Sequence, residues 1–129
     1  MCTHIFLSAG LDPTVMIGGV LPVMGAGHRV GEGETIILES CEYCNSFLSF
    51  FPTVAVVLNV EADHLDFFKD LADIQRSFRA FAGLVPQRGH VIVNADDTGA
   101  MDAGHSFDGI HLYAKSYKLW AQFVGRIVP

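Results

Sequence analysis

The sequence predicts an α/β fold in which a mostly parallel sheet is flanked by helices. Three consecutive segments carry this prediction: an apolar, β-branched run at 53–60, an amphipathic stretch at 67–85 and a second apolar run at 90–94. Continuously apolar runs are typical of strands buried on both faces, whereas apolar spacings of three and four mark one helix face. The segments therefore predict a βαβ unit, for which a right-handed crossover is expected.

Shorter elements are expected before this unit. We predict the end of a helix at 4–11, a short strand at 14–17 that ends at Gly18 and Gly19, a loop or irregular hairpin at 20–34, and a buried strand at 34–38. Gly10 can close the helix in a left-handed conformation. Arg29 and Val30 are candidates for pairing with the residues that follow them. Because no N-cap precedes the helix, we expect it to begin upstream of Met1 in a longer protein.

The boundaries of the later elements follow from caps and breakers. A helical turn is expected at 44–51, before Pro52, and Asp66 is the expected N-cap of the 67–85 helix. Further expectations are a short helix at 96–101, a strand at 110–114, and a helix or strand at 116–124.

Composition limits the classes of function. The chain has 129 residues, which favours a single domain, and its net charge of −6 without a Lys/Arg run excludes nucleic-acid backbone binding as its main task. No apolar run reaches the roughly 18 residues of a membrane span, so no membrane partner is expected. Three cysteines show no disulfide framework. These features predict a cytoplasmic protein.

The segment 59–66 concentrates the polar chemistry of the chain. Asn59, Asp63, His64 and Asp66 follow a predicted buried strand, and ligands bind at the carboxyl ends of such strands. Glu39 follows another predicted strand, so its carboxylate and His64 are candidates to converge on a Mg²⁺ ion. In the alternative, Glu39 caps a turn and His64 is an ordinary loop residue. Asp63 can orient the imidazole of His64 and fix its tautomer, or it can have no such role.

Two other motifs give weaker signals. Cys41 and Cys44 form a C-x-x-C motif, which fits a redox site but more simply fits two small, partly buried side chains. The glycines at 18–33 match no phosphate-binding motif. Three phenylalanines are expected in the core: Phe47, Phe50 and Phe51.

Several motifs together resemble the central domain of Mur ligases. The matching segments are 38–48 and 52–66, with further matches at 10–19, 78–86 and 94–97, so the resemblance covers about residues 1–103. Its most specific part is the Asn-x-Glu-x-Asp-His-x-Asp pattern after a hydrophobic strand. The resemblance implies a P-loop NTPase-like central domain of a three-domain enzyme of peptidoglycan synthesis.

The resemblance also implies an activity. In the family, ATP phosphorylates a muramoyl carboxylate, an amino acid attacks the acyl phosphate, and magnesium ions bridge the phosphates. Within the family, the chain is most similar to members that use UDP-N-acetylmuramate and L-alanine. The roles implied by the matched positions are magnesium binding by Glu39 and His64, catalysis by His64, nucleotide contact by Asn59, and substrate contact by Gly18, Gly19 and Asp63.

The chain departs from the family pattern in two places. The family's Gly-Thr-x-Gly-Lys-Thr-Thr loop precedes the first helix, and the chain begins after it. We therefore expect a partial central domain at 1–104, inactive alone and prone to self-association, with an undefined segment at 105–129. Many members also carry Glu-Ala-Asp-Glu-Ser-Asp at positions 39–44, where this chain has Glu-Ser-Cys-Glu-Tyr-Cys, so Glu39 is retained but the family's polar contacts at Cys41 and Cys44 are not expected.

Two readings outside this enzyme class stay open. The chain can be a non-catalytic α/β module that binds a metal ion or an anion. A C-x-x-C redox protein is the third reading, and it requires a reactive thiol at Cys41 or Cys44.

Overall fold

The computed structural model describes residues 1–94, 96 and 97. These residues divide into two compact units, 1–40 and 41–97, and each is described by itself. The elements of the first unit are α1 (Cys2–Ser8), β1 (Thr14–Leu21), β2 (Ala26–Arg29) and β3 (Ile36–Leu38). Those of the second are a 3-10 helix (Tyr43–Ser49), β4 (Val54–Val57), α2 (Leu71–Ala82) and β5 (His90–Val93).

The first unit is built around β1. This strand pairs antiparallel with β2 and parallel with β3, which gives the order β2-β1-β3. The predicted strand end at Gly18 and Gly19 is wrong, because β1 continues to Leu21 and turns into β2 as a hairpin. Arg29 accordingly pairs back onto Val15 of β1 instead of with the residues that follow it.

Two further expectations for this unit have different outcomes. Gly10 adopts a φ of +72° immediately after α1, as predicted. The strand expected to be buried at 34–38 is shorter and more exposed, since Ile36 and Leu38 of β3 keep 65% and 39% of their surface accessible.

Asp12 organises the connection after α1. Its side chain accepts hydrogen bonds from the Glu32 amide (2.7 Å) and from Arg29, and its carbonyl accepts one from the Gly33 amide (2.8 Å). The backbones approach so closely that a Cβ at Gly31 would lie 2.2 Å from the Asp12 carbonyl oxygen. Only glycine fits at position 31 without displacing backbone.

The second unit contains the predicted β-α-β sequence. β4 and β5 pair in parallel from Val54–His90 to Val57–Val93, and α2 lies between them in the chain. The helix begins later than predicted, because its N-cap is Asp70, whose side chain accepts a hydrogen bond from the Asp73 amide (2.9 Å). The prediction that Asp66 caps this helix is therefore wrong.

Two apolar clusters form the core of this unit. The larger contains Val57, Val60, Phe68, Ile74, Ala82, Val91 and Val93, and the smaller contains Phe47, Ala55 and Phe81. Phe78 and Val85 pack against both. The predicted helix face thus supplies Ile74, Phe78 and Phe81 to the core.

Burial along β4 corrects another expectation. Ala55 and Val57 are buried, but Val54 and Val56 are 50% and 42% exposed. This alternation is typical of a strand with one covered face, so the prediction of burial on both faces is wrong. The aromatic prediction holds for Phe47, which is buried, and fails for the exposed Phe50 and Phe51.

Some predictions lie outside the described residues. They concern residues 98–101 of the short helix, the strand at 110–114 and the element at 116–124. Within the described part of the chain, no helix has the length and apolar character needed to cross a membrane.

Candidate metal centre

The segment that follows β4 lies at the carboxyl end of two parallel strands. The Asn94 amide after β5 donates to the Val57 carbonyl of β4 (3.1 Å). Just beyond, the Val60 amide donates to an Asp97 carboxylate oxygen (3.2 Å). These bonds join the carboxyl ends of the two strands. Ligands of α/β proteins bind at this edge of the sheet, and residues 61–66 follow it directly in the chain.

The backbone of His64 is held in an uncommon conformation. Its φ is +51°, in the left-handed region that non-glycine residues rarely occupy. The His64 amide donates to Asp63 Oδ1 (2.7 Å), and its carbonyl accepts from the amides of Phe67 and Phe68 (both 2.9 Å). Strained residues of this kind cluster at functional sites, where the surrounding structure maintains them.

Two carboxylates lie beside the His64 imidazole. Nε2 of His64 is 3.4 Å from Glu42 Oε1, and both side chains are partly exposed. One potential ligand atom from each of Glu42, Asp63 and His64 lies within 4.8 Å of the other two. One or two carboxylates with retained waters are the usual protein ligands of Mg²⁺, and His64 adds an imidazole nitrogen. The carboxylates grouped with His64 in the second unit belong to Glu42 and Asp63, whereas the sequence selected Glu39 as the carboxylate partner of His64.

The ring of Tyr43 lies against the imidazole of His64. Its ring centroid is 4.7 Å from that of His64, with an interplanar angle of 36°. The hydroxyl donates to Asp66 Oδ2 (2.8 Å), and this hydrogen bond is the main cause that raises the pKa of Tyr43 above its ordinary value. Asp66, predicted as a helix cap, is thus the partner of Tyr43.

The 3-10 helix places Glu42 and Tyr43 near the loop. Cys44 and Asn45 have φ values of +54° and +57°, so the chain turns sharply after Tyr43. The Ser46 hydroxyl contacts the carbonyls of Cys41 (2.9 Å) and Tyr43 (2.8 Å), which stabilises that turn.

Contacts with α2 anchor the same turn. The side chain of Asn45 accepts a hydrogen bond from buried Ser77, and Phe47 stacks on Phe81 with centroids 4.7 Å apart. The position of Glu42 and Tyr43 therefore depends on the second core cluster.

The other predicted site residues are placed as follows. Asn59 is exposed and its amide contacts Glu61 Oε1 (3.3 Å). Glu39 and Gly18 lie in the first unit, where the Gly18 amide donates to Glu39 Oε2 (2.9 Å). A Cβ at Gly19 would meet nothing within 4 Å, so this position is open.

The structure adds to the open question of Asp63 and corrects one expectation for the cysteines. The Asp63 hydrogen bond with His64 involves the backbone amide, and the carboxylate that faces Nε2 belongs to Glu42. Cys41 and Cys44 are free thiols as expected, but both are exposed instead of partly buried.

Sequence reasoning did not select Glu42 or Tyr43 as site residues. Glu42 could have been selected from the sequence as a further carboxylate, because it lies three residues after Glu39 in the segment that follows the predicted strand at 34–38. Tyr43 was detectable as the aromatic residue that replaces serine in a polar motif.

Comparison with known families extends these observations. The family model of the Mur ligase middle domain matches residues 24–122. The UDP-N-acetylmuramate–L-alanine ligase of Clostridium novyi (strain NT) is 51% identical over 108 residues, which are 84% of this chain and 24% of that protein. The enzyme of the same name from Clostridium perfringens (strain 13 / Type A) is 49% identical over 102 residues, 79% of this chain and 22% of that protein.

A solved structure is also similar. It is the UDP-N-acetylmuramate:L-alanyl-γ-D-glutamyl-meso-diaminopimelate ligase from Neisseria meningitides, with a TM-score of 0.71 and 27% identity. The match covers 80% of this chain and 37% of that one. The chain spans less than a quarter of the length of the curated relatives described above.

Proposed function

Since the chain belongs to the Mur ligase family and carries its middle domain, we propose that it is part of a UDP-N-acetylmuramate–L-alanine ligase. The parent enzyme would use ATP to join L-alanine to the muramoyl carboxylate in peptidoglycan synthesis. The single observation that carries this proposal is the 51% identity, over 84% of the chain, to a relative with that name. The geometry around His64 supports it with a suitable cation-binding donor set.

We propose Glu39 and His64 as magnesium ligands, and His64 as a catalytic residue. Support for His64 comes from its Nε2, which points towards carboxylate oxygens at the carboxyl end of β4. When bound, magnesium neutralises phosphate charge and lowers the barrier to phosphoryl transfer. Glu39 is exposed at the end of β3 and is oriented by the Gly18 amide.

The remaining residues are proposed to hold the substrates. Asn59 is the proposed nucleotide contact, and its exposed amide can donate to phosphate or ribose oxygens. Gly18, Gly19 and Asp63 are proposed to contact the muramoyl substrate. The open space around Gly19 supports this role, because a ligand can approach the backbone closely there.

A direct test uses the complete reading frame that contains these 129 residues. With ATP and Mg²⁺, we expect ADP release that requires both UDP-N-acetylmuramate and L-alanine, and His64→Gln should abolish it. The matched control is His28→Gln, which alters an exposed histidine of β2 in the other unit and should leave the rate unchanged. ADP release that is independent of L-alanine would contradict the proposal.

The 129-residue chain alone is proposed to be inactive. It contains no G-x-x-x-x-G-K-[ST] segment, which supplies the phosphate-binding amides and lysine in P-loop enzymes. The second candidate is a non-catalytic module that binds a cation or anion, and the donor set of Glu42, Asp63 and His64 is the observation in its favour. A complete reading frame with a Gly-Lys-Thr segment upstream of Met1 supports the ligase, whereas a native start at Met1 supports the module.

Two properties of the protein complete the proposal. The free thiols Cys2, Cys41 and Cys44 suit the reducing cytoplasm, where we place the parent enzyme. The isolated chain is proposed to self-associate, because it exposes apolar side chains such as Val20, Val30 and Phe51. Light scattering tests this directly, and a monodisperse monomer at high concentration would contradict it.

A further inference from the structure

Tyr43 is positioned by contacts that leave one face of its ring against His64. Its hydroxyl donates to Asp66 Oδ2 at 2.8 Å, and the edge of Phe67 meets it with centroids 6.1 Å apart. The centroid of the ring lies 4.7 Å from that of the imidazole, and the two rings are tilted by 36°. The phenol is thus fixed at its tip and along its edge.

The imidazole needs such support because His64 is only partly buried. Its backbone is fixed by Asp63, Phe67 and Phe68, but backbone bonds leave the side-chain torsions free. An imidazole that rotates spends less time with Nε2 directed at a cation, so ordering the ring raises affinity. Contact with a fixed phenol ring supplies this order without using a ring nitrogen.

The hydroxyl of Tyr43 fixes one end of its ring. Its hydrogen bond to Asp66 Oδ2 holds the tip of the phenol to the same loop that carries His64. Serine could neither reach Asp66 in the same way nor cover the imidazole.

We infer that Tyr43 is a positioning residue for His64, the magnesium ligand proposed above, and that it holds Nε2 towards the carboxylate oxygens of Glu42 and Asp63. This inference rests on the proposed function only in that it requires the cation centre. It assigns no catalytic step to Tyr43, which acts through the orientation of the imidazole and not by contact with the reacting groups.

The test measures Mn²⁺ affinity of the 129-residue chain by electron paramagnetic resonance. Tyr43→Ser removes the ring and should weaken binding on the order of tenfold, the scale seen when partners of metal ligands are lost. Tyr43→Phe keeps the ring against the imidazole and should restore most of the affinity. Phe51→Ser, which changes a side chain that is 86% exposed, is the control and should bind Mn²⁺ like the wild type.

A second readout reports on the ring contact itself. In wild type and Tyr43→Phe, the aromatic ring current should shift the proton resonances of the His64 imidazole, and Tyr43→Ser should remove that shift. Preserved amide dispersion shows that each variant is folded.

The outcomes separate the two proposals. If His64→Gln weakens Mn²⁺ binding while Tyr43→Ser changes neither the affinity nor the imidazole resonances, Tyr43 has no positioning role and the cation centre stands. If His64→Gln leaves binding unchanged, the cation centre is wrong and the role of Tyr43 is overturned with it.

Discussion

The two units are stabilised in different ways. In residues 1–40, Val15 and Pro13 are the apolar side chains that are fully buried, and the chain connections rely on backbone approach around Asp12 and Gly31. In residues 41–97, two apolar clusters share Phe78 and Val85. The first unit should therefore be sensitive to added volume at glycines, and the second to the removal of side-chain volume.

The largest expected effect is in the second unit. Ile74→Ala removes a side chain that is 2% exposed and should lower the free energy of unfolding of this unit by about 2–5 kcal/mol. The control is Leu71→Ala on the same helix, where the side chain is exposed and the loss should be much smaller. Urea unfolding with hydrogen exchange of α2 amides measures both, and equal losses would show that the core does not dominate.

The complementary substitution in the first unit adds a single carbon. Gly31→Ala would place Cβ 2.2 Å from the Asp12 carbonyl oxygen, so the backbone must move, at a cost of about 1–3 kcal/mol. Gly19→Ala adds the same atom where nothing lies within 4 Å and serves as the matched control. Faster exchange of β1 and β2 amides in Gly31→Ala alone is expected; matching protection in the two variants would argue against close packing at Gly31.

A smaller effect tests which residue starts α2. Asp70→Ala removes the hydrogen bond to the Asp73 amide and should cost about 1 kcal/mol, seen as faster exchange in the first turn of α2. Asp66→Ala removes the partner of Tyr43 and should leave that turn unchanged. Loss of protection in the Asp66 variant would instead show that Asp66 is the N-cap of α2, as the sequence predicted.

The smallest effect is the pH dependence of Asp12. The hydrogen bond from the Glu32 amide, followed by the charge of Arg29, lowers the pKa of this carboxyl in the folded chain. A lowered folded pKa means that Asp12 contributes stability above its unfolded pKa and loses it as the pH falls through the folded value. A carboxyl titration followed by NMR should place Asp12 below its ordinary range, and an unshifted midpoint would contradict the contacts described.

Sequence patterns predicted the second unit better than the first. The βαβ order follows from strong local signals: β-branched runs for β4 and β5, and helical periodicity for α2. In the first unit, Gly18 and Gly19 resemble a strand end, but pairing of β1 with β2 carries the strand through them. Such non-local pairing outweighs local propensity and leaves no clear mark in a short segment.

The candidate site shows the same limit. Asp66 and Asp70 are both suitable N-caps by residue type, but Asp66 accepts a hydrogen bond from Tyr43, 23 positions earlier in the chain, and Asp70 caps α2. Glu42 lies beside His64 and just before a sharp turn of the chain. In that turn Cys44 has a positive φ, which is an uncommon conformation for cysteine. The residue types of the site were therefore recognisable, but its set of neighbours required the fold.

The central claim is that the second unit holds a divalent cation at His64, and Mn²⁺ binding to the 129-residue chain tests it most directly. Wild type and His28→Gln should bind Mn²⁺ with the same affinity, since His28 lies exposed in β2 of the first unit. His64→Gln should weaken binding by about tenfold or more, because it removes the imidazole ligand. Equal affinities in all three proteins would contradict the claim.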